Sequence, residues 1–209
     1  MELELVLSFL GASIILTFMP GPDNIFVLTE SLTKGQRNGI AISTGLVSGI
    51  LIHTLAAATG LSIIIQKSAI AFSIIKYLGA GYLFYLAVAA VKDKKPLIDL
   101  KMKNGDSKIG FLKLIRKGFL MNVLNPKVSL FFIAFLPQFI STKGFNATHQ
   151  MIILGIIFMI QSFIIFSVIS LLSSRFSGYL NNYKFWKITK WSKISVLSML
   201  GLFLALSKK

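Results

Sequence analysis

The sequence predicts an all-α, polytopic membrane helical bundle of about six transmembrane helices. Three observations carry this. Of the 209 residues, 55% are hydrophobic and only 14% are charged, whereas soluble domains carry about 25% charged residues. The apolar residues stand in long blocks, and a block of about 18 or more with few charges is long enough to cross a bilayer core. The basic residues, which give a net charge of +15, lie mostly between those blocks. In a soluble chain that charge would suggest nucleic acid. Here its placement fits loops that set orientation and meet anionic lipid, so no nucleic-acid partner is expected.

Six spans are expected near 3–29, 39–64, 70–91, 114–139, 150–172 and 191–207. In hydrocarbon the backbone must satisfy its own hydrogen bonds, so these blocks are helices; the short alternating segments of a β-barrel are absent. The first block is read as a span and not as a cleavable signal, because Glu2 and Glu4 stand where a signal carries Lys or Arg. The sixth is the shortest and has Lys193 at its start. Sixteen of the 22 basic residues fall on one side: Lys34 and Arg37 after span one, the group from Lys92 to Lys117 between spans three and four, and Arg175 to Lys193 before span six. Only Lys67, Lys143, Lys208 and Lys209 fall on the other. The positive-inside rule then puts both termini outside; were the sixth segment not to cross, the C-terminus would move inside.

The chain is expected to be one membrane domain of two three-helix halves, 1–91 and 114–209, joined by a basic cytoplasmic loop, 92–113. The stretch 176–190, with aromatic residues among lysines, reads as an interfacial segment. Three spans per half means that the second half enters the membrane from the opposite side. Two equivalent halves would form an inverted repeat, the plan of many secondary transporters. The first span of each half supports this. Span one is interrupted at Pro20-Gly21-Pro22-Asp23-Asn24, and span four at Asn125-Pro126-Lys127.

The first interruption has a physical cause. Pro20 and Pro22 lack an N–H and clash with the preceding turn, and Met19 and Gly21, each before a proline, are pushed from helical geometry. Gly21 offers backbone freedom. The helix should unwind and restart near Asp23, leaving free carbonyls and a helix N-terminus as ligand groups. The competing reading is that Pro-Gly-Pro ends the span, with Asp23 as the N-cap; apolar Ile25 to Leu28 continue past the break and argue against it. Of the seven acids, Asp23 alone lies beside a break within an apolar block. An intramembrane carboxylate is costly and marks function; it can carry a proton or bind an ammonium.

Span four supplies a cation. Lys127 lies about ten residues past Arg116 and Lys117, roughly 15 Å deep at 1.5 Å per residue. Asn122 and Asn125 share that approach, and Pro126 frees a carbonyl one turn earlier. Lys127 either pairs with Asp23, binds a substrate carboxylate, or snorkels towards the headgroups. In span two His53 continues a row of small residues at spacing four (Ala41, Gly45, Gly49, Ala57) that favours close helix approach. It is either a proton carrier or a packed histidine on a neighbouring carbonyl. Lys76 is expected to snorkel. Tyr82, Tyr85 and Gln161 are further polar candidates, and Pro137-Gln138 reads as a helix stop. With no Cys and no histidine cluster, no metal site and no cofactor are expected.

These motifs, in order, resemble the LysE/RhtB family of bacterial amino-acid exporters, the LysE-type translocators. Pro20-Gly21-Pro22-Asp23-Asn24 is the most specific match. It is followed by Gly39, Gly45, Gly49 and His53, then Lys76-Tyr77-Leu78-Gly79-Ala80-Gly81-Tyr82-Leu83, then Phe119 to Lys127 with Asn-Pro-Lys, Phe131-Phe132 and Pro137-Gln138-Phe139. The resemblance covers about 1–140; beyond that it rests on hydropathy and order. It implies a non-enzymatic carrier in the bacterial cytoplasmic (inner) membrane that exports an amino acid or related small solute by proton-coupled antiport. It carries functional weight onto Pro20, Gly21, Pro22, Asp23, Asn24, Asn125, Pro126 and Lys127. The alternatives are a cation or metal-ion exporter on the same scaffold, disfavoured by one carboxylate and no thiols, and a membrane-embedded enzyme or scaffold, for which no paired acid or nucleophile–base set is visible. Oligomerisation is left open.

Overall fold

The computed structural model describes residues 1–93, 110–175 and 182–207. The expected loop over 94–109, the stretch 176–181 and the tail lysines Lys208 and Lys209 lie outside the described residues. Within them the chain is all-α. Its elements are α1 (Leu3–Phe18), α2 (Pro22–Lys34), α3 (Gln36–Ala56), a π turn (Ala57–Leu61), α4 (Ser62–Lys67), α5 (Ala69–Val91), α6 (Phe111–Val123), α7 (Pro126–Leu130), a second π turn (Phe131–Phe135) running into a 3-10 turn (Leu136–Phe139), α8 (Ala147–Leu171) and α9 (Tyr183–Leu206). Among the described residues, four continuous stretches are long and apolar enough to cross a membrane. Two bent pairs bring the candidate spans to as many as six when each pair is taken as one span: α1 with α2 at 58°, and α6 with the segment Pro126–Phe139 at 50°. Both bends fall at the prolines.

The helix starts follow local chemistry. Ser68, Asn146 and Asn182 accept from Ala71 N, His149 N and Lys184 N at 3.1, 2.9 and 2.8 Å, capping α5, α8 and α9. The Asn182 cap corrects the sequence expectation for the last span. The helix begins at Tyr183, not near 191, so 183–190 forms its first turns. Lys193 then lies inside the helix, where Asp93 at the end of α5 takes its charge at 2.8 Å.

Packing pairs the spans across the chain. α3 lies against α6 and α8, α1 against α8, and α5 against α9. The α3–α6 crossing is backbone-close because it is built from glycine. A side-chain carbon on Gly45 would meet the Ile115 carbonyl, and one on Gly118 the Ile42 carbonyl. This bears out the row of small residues in span two, where Ala41, Gly45, Gly49 and Ala57 are all buried. At the end of the bundle that holds the N-terminus, Phe9, Phe131, Phe132 and Phe158 stack with ring centroids 5.3 to 6.4 Å apart and fill the space between α1, α8 and the π turn. Gln150 pins the neighbouring loop, accepting from Ser141 N at 2.9 Å and donating to Ser141 O. At the opposite, basic end, Ser31 donates to Ser170 at 2.9 Å and Ser170 to Gln36 O at 2.9 Å, tying α2 and α3 to α8.

Lys76 does not snorkel. It is buried, and its Nζ donates to Ser207 O at 2.8 Å, satisfying a carbonyl at the C-terminus of α9. Pro137 and Gln138 end their span as expected, in the 3-10 turn. The glycine crossing makes a direct test. Gly118→Leu must push α6 off α3 and is expected to cost at least about 1–3 kcal/mol, read as a drop in thermal midpoint in detergent. Gly81→Leu, at a glycine with open space around it, is expected to leave the midpoint unchanged.

Candidate functional site

The two breaks meet. α1 ends at Phe18 and α2 restarts at Pro22 with Gly21 as N-cap. α6 ends at Val123 and α7 restarts at Pro126 with Asn125 as N-cap. Pro22 and Pro126 are therefore the first residues of their restarted helices, a position proline suits, and Asp23 and Lys127 occupy the same second position. The competing reading, with Asp23 as the N-cap, does not hold, because Gly21 takes that place. Gly21 has φ −162° and ψ 178°, extended backbone open to any residue, so its glycine is not required by conformation.

Three carbonyls that a proline or the break deprives of their helical donor find one elsewhere. Leu16 O, four residues before Pro20, accepts from Lys127 Nζ at 3.2 Å. Thr17 O accepts from Asn24 Nδ2 at 2.9 Å. Asn122 O, four residues before Pro126, accepts from Asn125 N at 2.9 Å and contacts His53 Nε2 at 3.1 Å. His53 is half-buried, and its ring centre lies 5.9 Å from that of Phe132.

Asn125 joins the halves of the site. Its Oδ1 accepts from Lys127 N at 3.0 Å, and its Nδ2 donates to Asp23 Oδ2 at 2.6 Å. Asp23 and Lys127 are 2% and 9% exposed. They line one small cavity of about 10 Å³, closed by Leu16, Thr17, Asn122 and Ser162. They do not form a direct ion pair; Asn125 holds the carboxylate and a carbonyl holds the ammonium. Asp23 Oδ1 and Asn122 Oδ1 are buried with no donor among the described residues. The site is thus a small buried cavity that holds a lysine, a carboxyl group and two acceptors without a donor among the described residues.

The structure brings together Pro20, Gly21, Pro22, Asp23, Asn24, Asn122, Asn125, Pro126 and Lys127, with His53 set behind Asn122 as a latch. Gln161 reaches the chamber wall indirectly. It donates to Thr17 Oγ1 at 2.9 Å and Ser162 Oγ at 2.8 Å, and these two hydroxyls lie 3.2 Å apart. Thr17 and Ser162 were not foreseen; a hydroxyl in each of two apolar blocks carries no signal until the helices are paired. Tyr82 and Tyr85 are not at the site. They face outward, 37% and 63% exposed, with their rings 5.6 Å apart.

The family described as LysE type translocator matches residues 14–208. The chain belongs to the LysE type translocator family. It is similar to the uncharacterized membrane protein YrhP of Bacillus subtilis (strain 168), 33% identical over 94% of this chain and 95% of that one. It is also similar to the homoserine/homoserine lactone efflux protein of Salmonella typhimurium, 28% identical over 98% of each chain. No solved structure matches. The family match extends the resemblance past residue 140 through α8 and α9, so both helices belong to the translocator fold. In this translocator Asn125→Ala removes a helix cap, worth about 1 kcal/mol, and the donor on Asp23, worth about 1.5–3 kcal/mol. His53→Ala removes one neutral contact, worth about 0.5–1.5 kcal/mol. Thermal unfolding in detergent is expected to place Asn125→Ala well below His53→Ala; the reverse order would make His53, and not Asn125, the main tie at the breaks.

Proposed function

We propose that this LysE type translocator is a secondary-active, proton-coupled exporter of an amino acid or related small solute, working by antiport across the bacterial cytoplasmic membrane. One observation carries the reading: two proline breaks from distant parts of the chain meet in a buried chamber that offers a carboxylate, an ammonium and unfilled acceptors. A zwitterion is complementary to that set. Its carboxylate replaces the Leu16 carbonyl on Lys127, and its ammonium meets Asp23 Oδ1 and Asn122 Oδ1. Relatives named as homoserine/homoserine lactone efflux proteins support the amino-acid class.

The chamber is too small for a solute as it stands, so transport requires the walls to part. We assign that motion to rocking of the halves 1–91 and 114–209 against each other, with the glycine-built α3–α6 crossing as the pivot. The packing supports it, because exchanging the halves maps the α3–α6 contact onto the α1–α8 contact and leaves the α3–α8 and α5–α9 contacts in place. Asp23 is the group assigned to proton coupling, since it is the carboxylate in the chamber. Export of a bare cation is less well supported, because the Lys127 side chain lies in the same space.

Efflux from proteoliposomes loaded with an amino-acid panel that includes L-homoserine tests this. Wild type is expected to export at least one member faster when a proton gradient is imposed. Asp23→Asn is expected to abolish the effect of the gradient, and Lys127→Met to slow efflux by about tenfold or more through loss of a charge-assisted contact. Wild-type, gradient-dependent efflux by Asp23→Asn would overturn the coupling role.

A further inference from the structure

A second cavity lies on the other face of the same break. It is a cleft of about 300 Å³ between Pro20-Gly21-Pro22 and the first turns of α9, lined also by Asp93, Trp186, Lys190 and Lys193. That volume is at the lower end of the range for small-molecule sites, about 300–1,000 Å³. It opens at the basic end of the bundle. Its charged groups are already arranged as an acid and a base. Lys193 Nζ is 2.8 Å from Asp93 Oδ2. Lys190 Nζ donates to Asp93 O at 3.0 Å and to Val91 O, and stands 5.0 Å from the centre of the Trp186 ring.

Gly21 is the wall between the two spaces. It lines the cleft on one side, and a side-chain carbon built on it would stand 3.6 Å from Lys127 Nζ on the other. The unwound Pro20-Gly21-Pro22 backbone therefore separates the cleft from the inner chamber. In the other half α5 packs on the π turn, and a carbon on Gly79 would strike Ala134.

We propose that this cleft is an outer binding site for the zwitterionic solute, in which Lys193 takes the carboxylate and Asp93 the ammonium before the solute passes Gly21 to the inner chamber. The substrate class rests on the exporter reading; the site itself rests on the cleft. Exchange of partners explains how a solute enters against an existing ion pair. A zwitterion brings one carboxylate and one ammonium, so Lys193 and Asp93 each leave with a partner of the same kind they give up. Lys190 adds net positive charge that favours the carboxylate end, and Trp186 supplies a face for the solute's carbon chain.

Trp186 also reports on the site. The chain has two tryptophans, so Trp191→Phe leaves Trp186 alone. The full chain in lipid nanodiscs is titrated with L-homoserine, and with L-homoserine lactone, which lacks the carboxylate. L-homoserine is expected to change Trp186 fluorescence saturably and the lactone only weakly. Lys193→Gln is expected to raise the midpoint about tenfold, and Lys193→Arg to restore most of it, which a folding defect would not do. Asp23→Asn is expected to stop gradient-driven efflux while the Trp186 midpoint stays in place. No saturable change, an equal response to the lactone, or a midpoint moved as much by Asp23→Asn as by Lys193→Gln overturns the outer site. Efflux with no Trp186 titration sinks this site alone; a Trp186 titration with no efflux of any panel member sinks the exporter reading and leaves the cleft as a zwitterion site.

Discussion

A backbone carbonyl without a donor costs several kcal/mol in hydrocarbon, and this constraint organises the centre of the molecule. Pro20 and Pro126 each strip a donor from a carbonyl one turn back. Had those carbonyls faced lipid, the breaks would be untenable. They instead face neighbouring spans. Leu16 O of the first span is held by Lys127 of the fourth, and Asn122 O of the fourth contacts His53 of the second. Both breaks are covered by protein, and the Asn125–Asp23 bond between them puts a carboxylate and a lysine in one buried place.

The same constraint links structure to movement. The ammonium that satisfies Leu16 O is the group a solute carboxylate would claim, so binding and the stability of the break compete for one atom. A solute that takes Lys127 leaves Leu16 O in need of another donor, which the solute's ammonium or water can supply. The glycine-built crossing of α3 on α6 is rigid by comparison, since backbone there meets backbone. The chamber therefore sits between a stiff seam and a seam held by exchangeable polar contacts. On its two sides lie the phenylalanine cluster and the basic cleft.

Much of this was legible in the sequence, for identifiable reasons. Proline acts through its own ring and missing N–H, so the restarts at Pro22 and Pro126 follow from local chemistry. Hydropathy blocks gave the spans, because the bilayer imposes length. The final helix was misjudged because Lys184, Lys187 and Lys190 lower its hydropathy, while the decisive signal was the single Asn182 cap. Lys76 was misread as snorkelling because its partner, the Ser207 carbonyl, is remote in sequence. Asn125 was named as a candidate, yet its bridge between Asp23 and Lys127 depends on how two bends of 58° and 50° face each other, which no local pattern encodes. Thr17 and Ser162 were hidden for the same reason.

The most direct measurement is the proximity of the two breaks in the native membrane. The chain has no cysteine, so the double variant Asp23→Cys with Asn125→Cys can be treated in membranes with a short bifunctional thiol reagent and read by mass spectrometry. Intramolecular cross-linking at a level matching a Ser31→Cys with Ser170→Cys reference pair is the outcome this account requires. A linked reference pair with no link between positions 23 and 125 would mean that the two unwound segments do not meet.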